Sequence, residues 1–219
     1  MQMTPQEASD RSREICTLAP VMPVLVIREA AAAGPLAEAL ISGGLPALEV
    51  TLRTPAALEA IRDMAQVPGC VVGAGTLVTP DDAVAAKEAG AEFGVSPGAT
   101  DALLDACEKI GLPLLPGAAT ASEAMRLLAR GYRMQKFFPA EASGGAPALK
   151  AIGAPLPQIS FCPTGGITPG NVQGYLDLPN VVCAGGSWIA PQELVSAGDW
   201  SAIRTLARAA AQLPVRQAK

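Results

Sequence analysis

Eight short apolar runs, each followed by an Ala-rich amphipathic segment, set the tightest limit on what this chain can fold into. The runs are VMPVLVI (21–27), ALEVTL (47–52), CVVGAG (70–75), EFGVS (92–96), LPLLPG (112–117), RMQKFF (133–138), QISFCP (158–163) and NVVCAG (180–185). Helical periodicity follows over 29–42, 55–65, 80–89, 101–110, 121–130, 145–153, 169–177 and 198–212. This alternation, at about 20–25 residues per unit, predicts an α/β protein made of βα units. Eight near-equal units in 219 residues fit a small (β/α)8 TIM barrel. A doubly wound open sheet is the alternative, and the even spacing favours closure.

Thr-Pro pairs punctuate the helix starts, at Thr4-Pro5, Thr54-Pro55, Thr79-Pro80 and Thr168-Pro169. Threonine accepts a hydrogen bond from an early helix N–H, and proline suits the first helical position. TPQE at the first pair also reads as a capping box. It predicts an extra N-terminal helix, about 5–18, covering the end of the barrel opposite an active site. No linker or low-complexity stretch interrupts the pattern, so one domain over 1–219 is expected, with the barrel about 20–213.

Composition excludes several functions. The net charge is -4, with no Lys/Arg-rich stretch, so neither nucleic acid nor an anionic membrane is an expected partner. No apolar run reaches a membrane span, and the polar N-terminus is not a signal peptide. Cys16, Cys70, Cys107, Cys162 and Cys183 form no CxxC pair and read as reduced, buried thiols of a cytoplasmic protein. The chain has no histidine, which removes the commonest metal ligand and acid–base group. Proton transfer must then fall to a carboxylate, lysine, tyrosine or cysteine, or to the substrate. No metal or cofactor is expected.

In such a barrel the chemistry sits at the C-terminal strand ends. Alternation along ALEVTLR turns Leu48, Val50 and Leu52 to the helices and Glu49, Thr51 and Arg53 to the interior. Glu49 and Arg53 lie about 13 Å apart along the strand. They suit an acid–base carboxylate and an anion anchor, or a structural ion pair. Of the five lysines, Lys87, Lys109 and Lys150 fall on helices and Lys219 ends the chain; only Lys136 lies in a strand. Burial disfavours an ammonium, and the neutral amine attacks ketones to form a Schiff base. A lysine merely paired with Glu49, or snorkelling to the barrel mouth, is the competing explanation.

The last two strands end in glycine-rich loops, CPTGGITP (162–169) and CAGGSW (183–188). Glycines let backbone N–H groups approach an anion, and these loops are the recurring phosphate site of such barrels. Simple tight turns are the other reading. GAGT (73–76) begins like a dinucleotide fingerprint, but Val78 replaces the third small residue and the next strand ends without an acid.

Taken in order, LEVTLRT, GAGTL, VSPG, KFFPAEASGG, FCPTGGI and GGSW resemble the 2-dehydro-3-deoxy-6-phosphogluconate (KDPG) aldolase family, including its bifunctional 4-hydroxy-2-oxoglutarate form. The resemblance covers about residues 15–210 and implies a homotrimeric, metal-independent class I aldolase with a (β/α)8 barrel. By position it makes Lys136 the Schiff-base lysine and Glu49 the general acid–base. Arg53 and Thr76 become ligands of the pyruvate carboxylate. Pro97 lines the site, and Thr164 influences stereochemical choice. Gly165, Gly166, Gly186 and Ser187 match phosphate-binding positions. Alanines in VSPGAT and LPGAAT depart from the expected bulkier or hydroxylated residues, which bears on substrate fit and not on reaction type. The implied reaction gives pyruvate and glyceraldehyde 3-phosphate, placing the chain in carbohydrate metabolism of the Entner-Doudoroff type. Alternatives left open are an aldolase for the galactonate epimer, a sugar-phosphate isomerase or epimerase, and a non-catalytic barrel binding a phosphorylated ligand.

Overall fold

A computed structural model describes residues 2–216. Its chain order is α1 (Pro5–Cys16), β1 (Val21–Leu25), α2 (Ala33–Ser42), β2 (Ala47–Thr51), α3 (Ala57–Met64), β3 (Val71–Gly75), α4 (Pro80–Glu88), β4 (Phe93–Val95), α5 (Asp101–Ile110), β5 (Leu114–Leu115), β6 (Gly117–Ala118), α6 (Ala121–Arg130), β7 (Met134–Phe137), α7 (Gly145–Gly153), β8 (Ser160–Pro163), α8 (Val172–Leu176), β9 (Ala184–Gly186), α9 (Gln192–Ala197) and α10 (Trp200–Ala211). Every paired strand is parallel. One sheet runs β5-β4-β3-β2-β1-β9 and a second runs β6-β7-β8. Isolated parallel bridges, Phe161 with Val181 and Thr164 with Gly185, join the β8 and β9 segments.

The predicted strand 112–117 divides at Pro116. Its first half pairs with β4 and its second with β7. Proline has no N–H to give a ladder, but its carbonyl still accepts from Lys136 N at 2.8 Å. The predicted helix 29–42 begins with a 3-10 turn, Ala30–Ala32, and becomes α-helical at Ala33. That start places Pro35 in the first turn, where its missing N–H costs nothing. The stretch 198–212 contains α10, and α9 precedes it, bounded by Pro191 and by Gly198 in the left-handed region.

Two of the four Thr-Pro pairs cap helices. Thr4 and Thr79 each close a capping box, with Glu7 and Asp82. Thr54 instead donates its hydroxyl to the Ile27 carbonyl. The Thr168 N–H donates to Asn171 Oδ1 at 2.8 Å, and Asn171 is the N-cap of α8. Thr100 and Thr120 cap α5 and α6 without a proline.

Leu48, Val50 and their counterparts pack against the helices in the larger apolar core, together with Leu52. The opposite, inner face carries a second apolar cluster, including Met22, Ala47, Phe93, Val95, Leu115, Met134 and Cys162. Ile15 and Cys16 bring the end of α1 into it. Ser9 Oγ accepts from Arg133 N and Met134 N at 2.8 and 2.9 Å, fastening α1 to the start of β7. The inner face is therefore apolar where strands begin and polar where they end, at Glu49, Thr51, Lys136 and Thr164.

Candidate active site

Glu49 and Lys136 arrive from different strands. Glu49 sits on β2 between register partners Val24 and Gly73. Lys136 sits on β7 between Gly117 and Cys162. Both point inward, and Lys136 Nζ donates to Glu49 Oε1 at 3.3 Å. Their side chains are only 6% and 3% exposed, so water does not screen the pair. Nζ also lies 5.2 Å from the Phe138 ring centroid, where the ring face favours a cation.

Gly75 makes room for this carboxylate. A Cβ there would come 2.2 Å from Glu49 Oε1. Gly73 is needed for another reason, since the Phe93 ring occupies the place of its Cβ. GAGT thus serves side-chain packing. Thr76 follows with φ 66, the one non-glycine residue in that region among those described. Such a backbone costs about 1–3 kcal/mol and persists only where its surroundings hold it.

A pocket of about 290 Å³ opens over the pair. Its lining brings together Glu49, Arg53, Thr76, Pro97, Lys136, Thr164, Gly165, Gly166 and Ser187, nine of the ten residues singled out from sequence. Arg53 is exposed at the rim and makes no ion pair among the described residues. Its charge remains available to an anion. Gly165 and Gly166 have φ 102 and 76, and the side chain of Glu141 lies where a Cβ on Gly166 would be. Asn171 Nδ2 donates to the Gly166 carbonyl at 3.1 Å and steadies the turn.

Gly186 does not line the pocket. The Trp188 ring fills the place of its Cβ, 1.8 Å away, so glycine there admits the indole. Its neighbour Gly185 does line the pocket, against Thr164. Val24, Thr51, Phe138 and Ile167 complete the lining and carry no assigned role in the sequence reading. Phe138 was accessible to that reading: two residues beyond Lys136, it shares the same strand face. The Thr51 hydroxyl is spent on the Leu25 carbonyl at 2.9 Å.

A curled parallel sheet, flanked by helices and holding a buried amine–carboxylate pair under an open pocket, has the organisation of an α/β enzyme. The chain belongs to the KDPG and KHG aldolase family, whose model matches residues 12–206, and it is a lyase. It is 54% identical over 200 residues to the 2-dehydro-3-deoxy-phosphogluconate aldolase of Pseudoalteromonas atlantica, covering 91% of this chain and 93% of that one. Among solved structures, the KDPG aldolase of Legionella pneumophila, with pyruvate captured as a covalent carbinolamine, has a TM-score of 0.89 at 49% identity, covering 91% and 98% of the two chains. The Zymomonas mobilis ZM4 enzyme with 3-phosphoglycerate has a TM-score of 0.88 at 50% identity, covering 94% and 96%.

Proposed function

We propose that this chain is a class I aldolase that cleaves KDPG to pyruvate and glyceraldehyde 3-phosphate. It also takes 4-hydroxy-2-oxoglutarate to pyruvate and glyoxylate. The observation that carries the reading is the 3.3 Å contact between Lys136 Nζ and Glu49 beneath the pocket. An isomerase or an epimerase needs no imine, and a passive phospho-ligand barrel needs no strand lysine beside an interior carboxylate. The relatives at about 50% identity are named as phosphogluconate aldolases, which supports the gluconate substrate.

Lys136, as the free amine, attacks the C2 ketone, and loss of water gives a protonated imine. Glu49 removes the C4 hydroxyl proton, directly or through a water. The C3–C4 bond then breaks, and its electron pair enters the imine as an enamine. Glyceraldehyde 3-phosphate leaves, Glu49 returns its proton to C3, and hydrolysis frees pyruvate. One carboxylate acts as base and then as acid, and the imine supplies the electron sink without a metal or cofactor. Arg53 and Thr76 hold the pyruvate carboxylate, for which the arginine fork is suited. Thr164 and Pro97 border the aldehyde end. Gly165, Gly166 and Ser187 receive the phosphate, with Gly186 shaping that loop through Trp188.

The same reading makes the two sheets one closed (β/α)8 barrel in a single domain. In support, β5 and β6 are halves of one strand, and isolated bridges span β8 and β9. It also makes the enzyme a cytoplasmic homotrimer.

Incubation with pyruvate and borohydride, followed by peptide mass mapping, tests the reading. The expected adduct lies on the peptide containing Lys136, and Lys136→Ala abolishes both adduct and KDPG turnover. An adduct on another lysine overturns the assignment.

A further inference from the structure

Beneath the amine–carboxylate pair lies a group the proposed reaction does not use. Cys16, Cys162 and Cys183 come from the last turn of α1, from β8 and from the residue before β9. Their sulfurs all lie within 4.8 Å of one another. The residues are 2%, 2% and 0% exposed, and all three thiols are free. Met22 and Met134 belong to the same apolar cluster, so thioethers accompany the thiols. Among the described residues no carboxylate joins that 4.8 Å grouping, and the chain has no histidine. Cys162 is the register partner of Lys136 on the adjoining strand.

We propose that these three cysteines form a binding site for a soft, thiophilic cation, the cuprous ion. Donor chemistry selects the ion. Thiolates and thioethers favour Cu(I), three sulfurs fall one donor short of the four-coordinate set that zinc takes, and magnesium, calcium and manganese require carboxylate or carbonyl oxygens that do not join this sulfur grouping. Three sulfurs converging from three elements supply a trigonal set without rebuilding the backbone.

Charge balance explains why the site suits its place. Cu(I) displaces two thiol protons, which pass to solvent, and keeps the third cysteine as a neutral thiol. No electron is transferred, and the centre carries one net negative charge. An unpaired charge is costly in an apolar interior, and Lys136, the register partner of Cys162, is a cation on the adjoining strand that also faces Glu49. Entry requires the last turn of α1 to lift, because Cys16 closes the cluster from that side.

The test uses the reduced full-length protein under argon, titrated with Cu(I) against a chromogenic cuprous chelator. One equivalent is expected to be retained, with near-ultraviolet copper–thiolate absorption and a three-sulfur shell by X-ray absorption. Cys16→Ser and Cys16→Ala are expected to lose retention at least tenfold while keeping copper-free turnover. Cys70→Ser and Cys107→Ser, which alter buried thiols outside the cluster, should retain the ion. Failure of the unmodified protein to hold Cu(I), a shell of nitrogen or oxygen, or equal retention without Cys16 overturns the site. Copper retention does not depend on aldolase activity, so this proposal and the aldolase reading fail separately.

Discussion

At the residue scale, the candidate site depends on space as much as on charge. Glu49 reaches Lys136 only because position 75 lacks a Cβ. Gly75→Ala should therefore push the carboxylate aside while leaving the amine in place. Misplacing a general base costs about 10²-fold in rate, so kcat for KDPG cleavage should fall by about that factor. Pyruvate trapping by borohydride should persist, because imine formation needs Lys136 first. A variant with unchanged kcat would show that the carboxylate does not need this position. Much of the site was legible in sequence because strand alternation alone turns Glu49 inward, and because Lys136 is the one lysine in a strand among the described residues. The role of Gly75 was not legible, because it arises between β2 and β3. Pairing register is set by three-dimensional packing, and a single strand's pattern does not report it. The same reason hid the trio of Cys16, Cys162 and Cys183, whose members lie far apart in sequence.

At the scale of elements, periodicity located the helices well, and departures trace to local chemistry. Pro35 moved the start of α2, and Pro116 divided a strand. Thr54 and Thr168 satisfied other groups and left capping elsewhere. Among the helix starts, Thr120 and Glu123 form a reciprocal box at α6. The Ala119 N–H, donating at 2.8 Å, is the largest influence lowering the Glu123 carboxyl below its ordinary value; contacts with Thr120 assist, against a smaller opposing effect of burial. A carboxyl depressed in the folded state stabilises it above the unfolded value, about 4.3. That contribution fades as pH falls through the lower folded value. Glu123→Gln should therefore lower unfolding free energy at pH 7 by about 0.5–1 kcal/mol, a modest loss because the side chain is exposed. The difference from the unmodified protein should vanish in strong acid, as read by urea titrations across pH. A pH-independent difference would mean that the charge of Glu123 is not what matters.

Across the whole molecule, the inner face separates two tasks by depth. The strand C-termini carry the polar pocket. The strand N-termini are closed by α1, whose Ile15 and Cys16 enter the inner apolar cluster. Ser9 is the polar fastening of that closure, since its hydroxyl serves two backbone N–H groups at the start of β7. It is also 2% exposed, so water cannot replace it. Ser9→Ala would leave those donors unmet, at about 1–3 kcal/mol, and the protein should unfold at correspondingly lower urea concentration. Lys136 lies two residues further along β7, yet the register with β6 and β8 holds it independently of α1. Turnover measured well below the transition should therefore change less than twofold. A large loss of kcat with unchanged stability would mean that α1 sets the position of the amine, and that the two ends do not act separately.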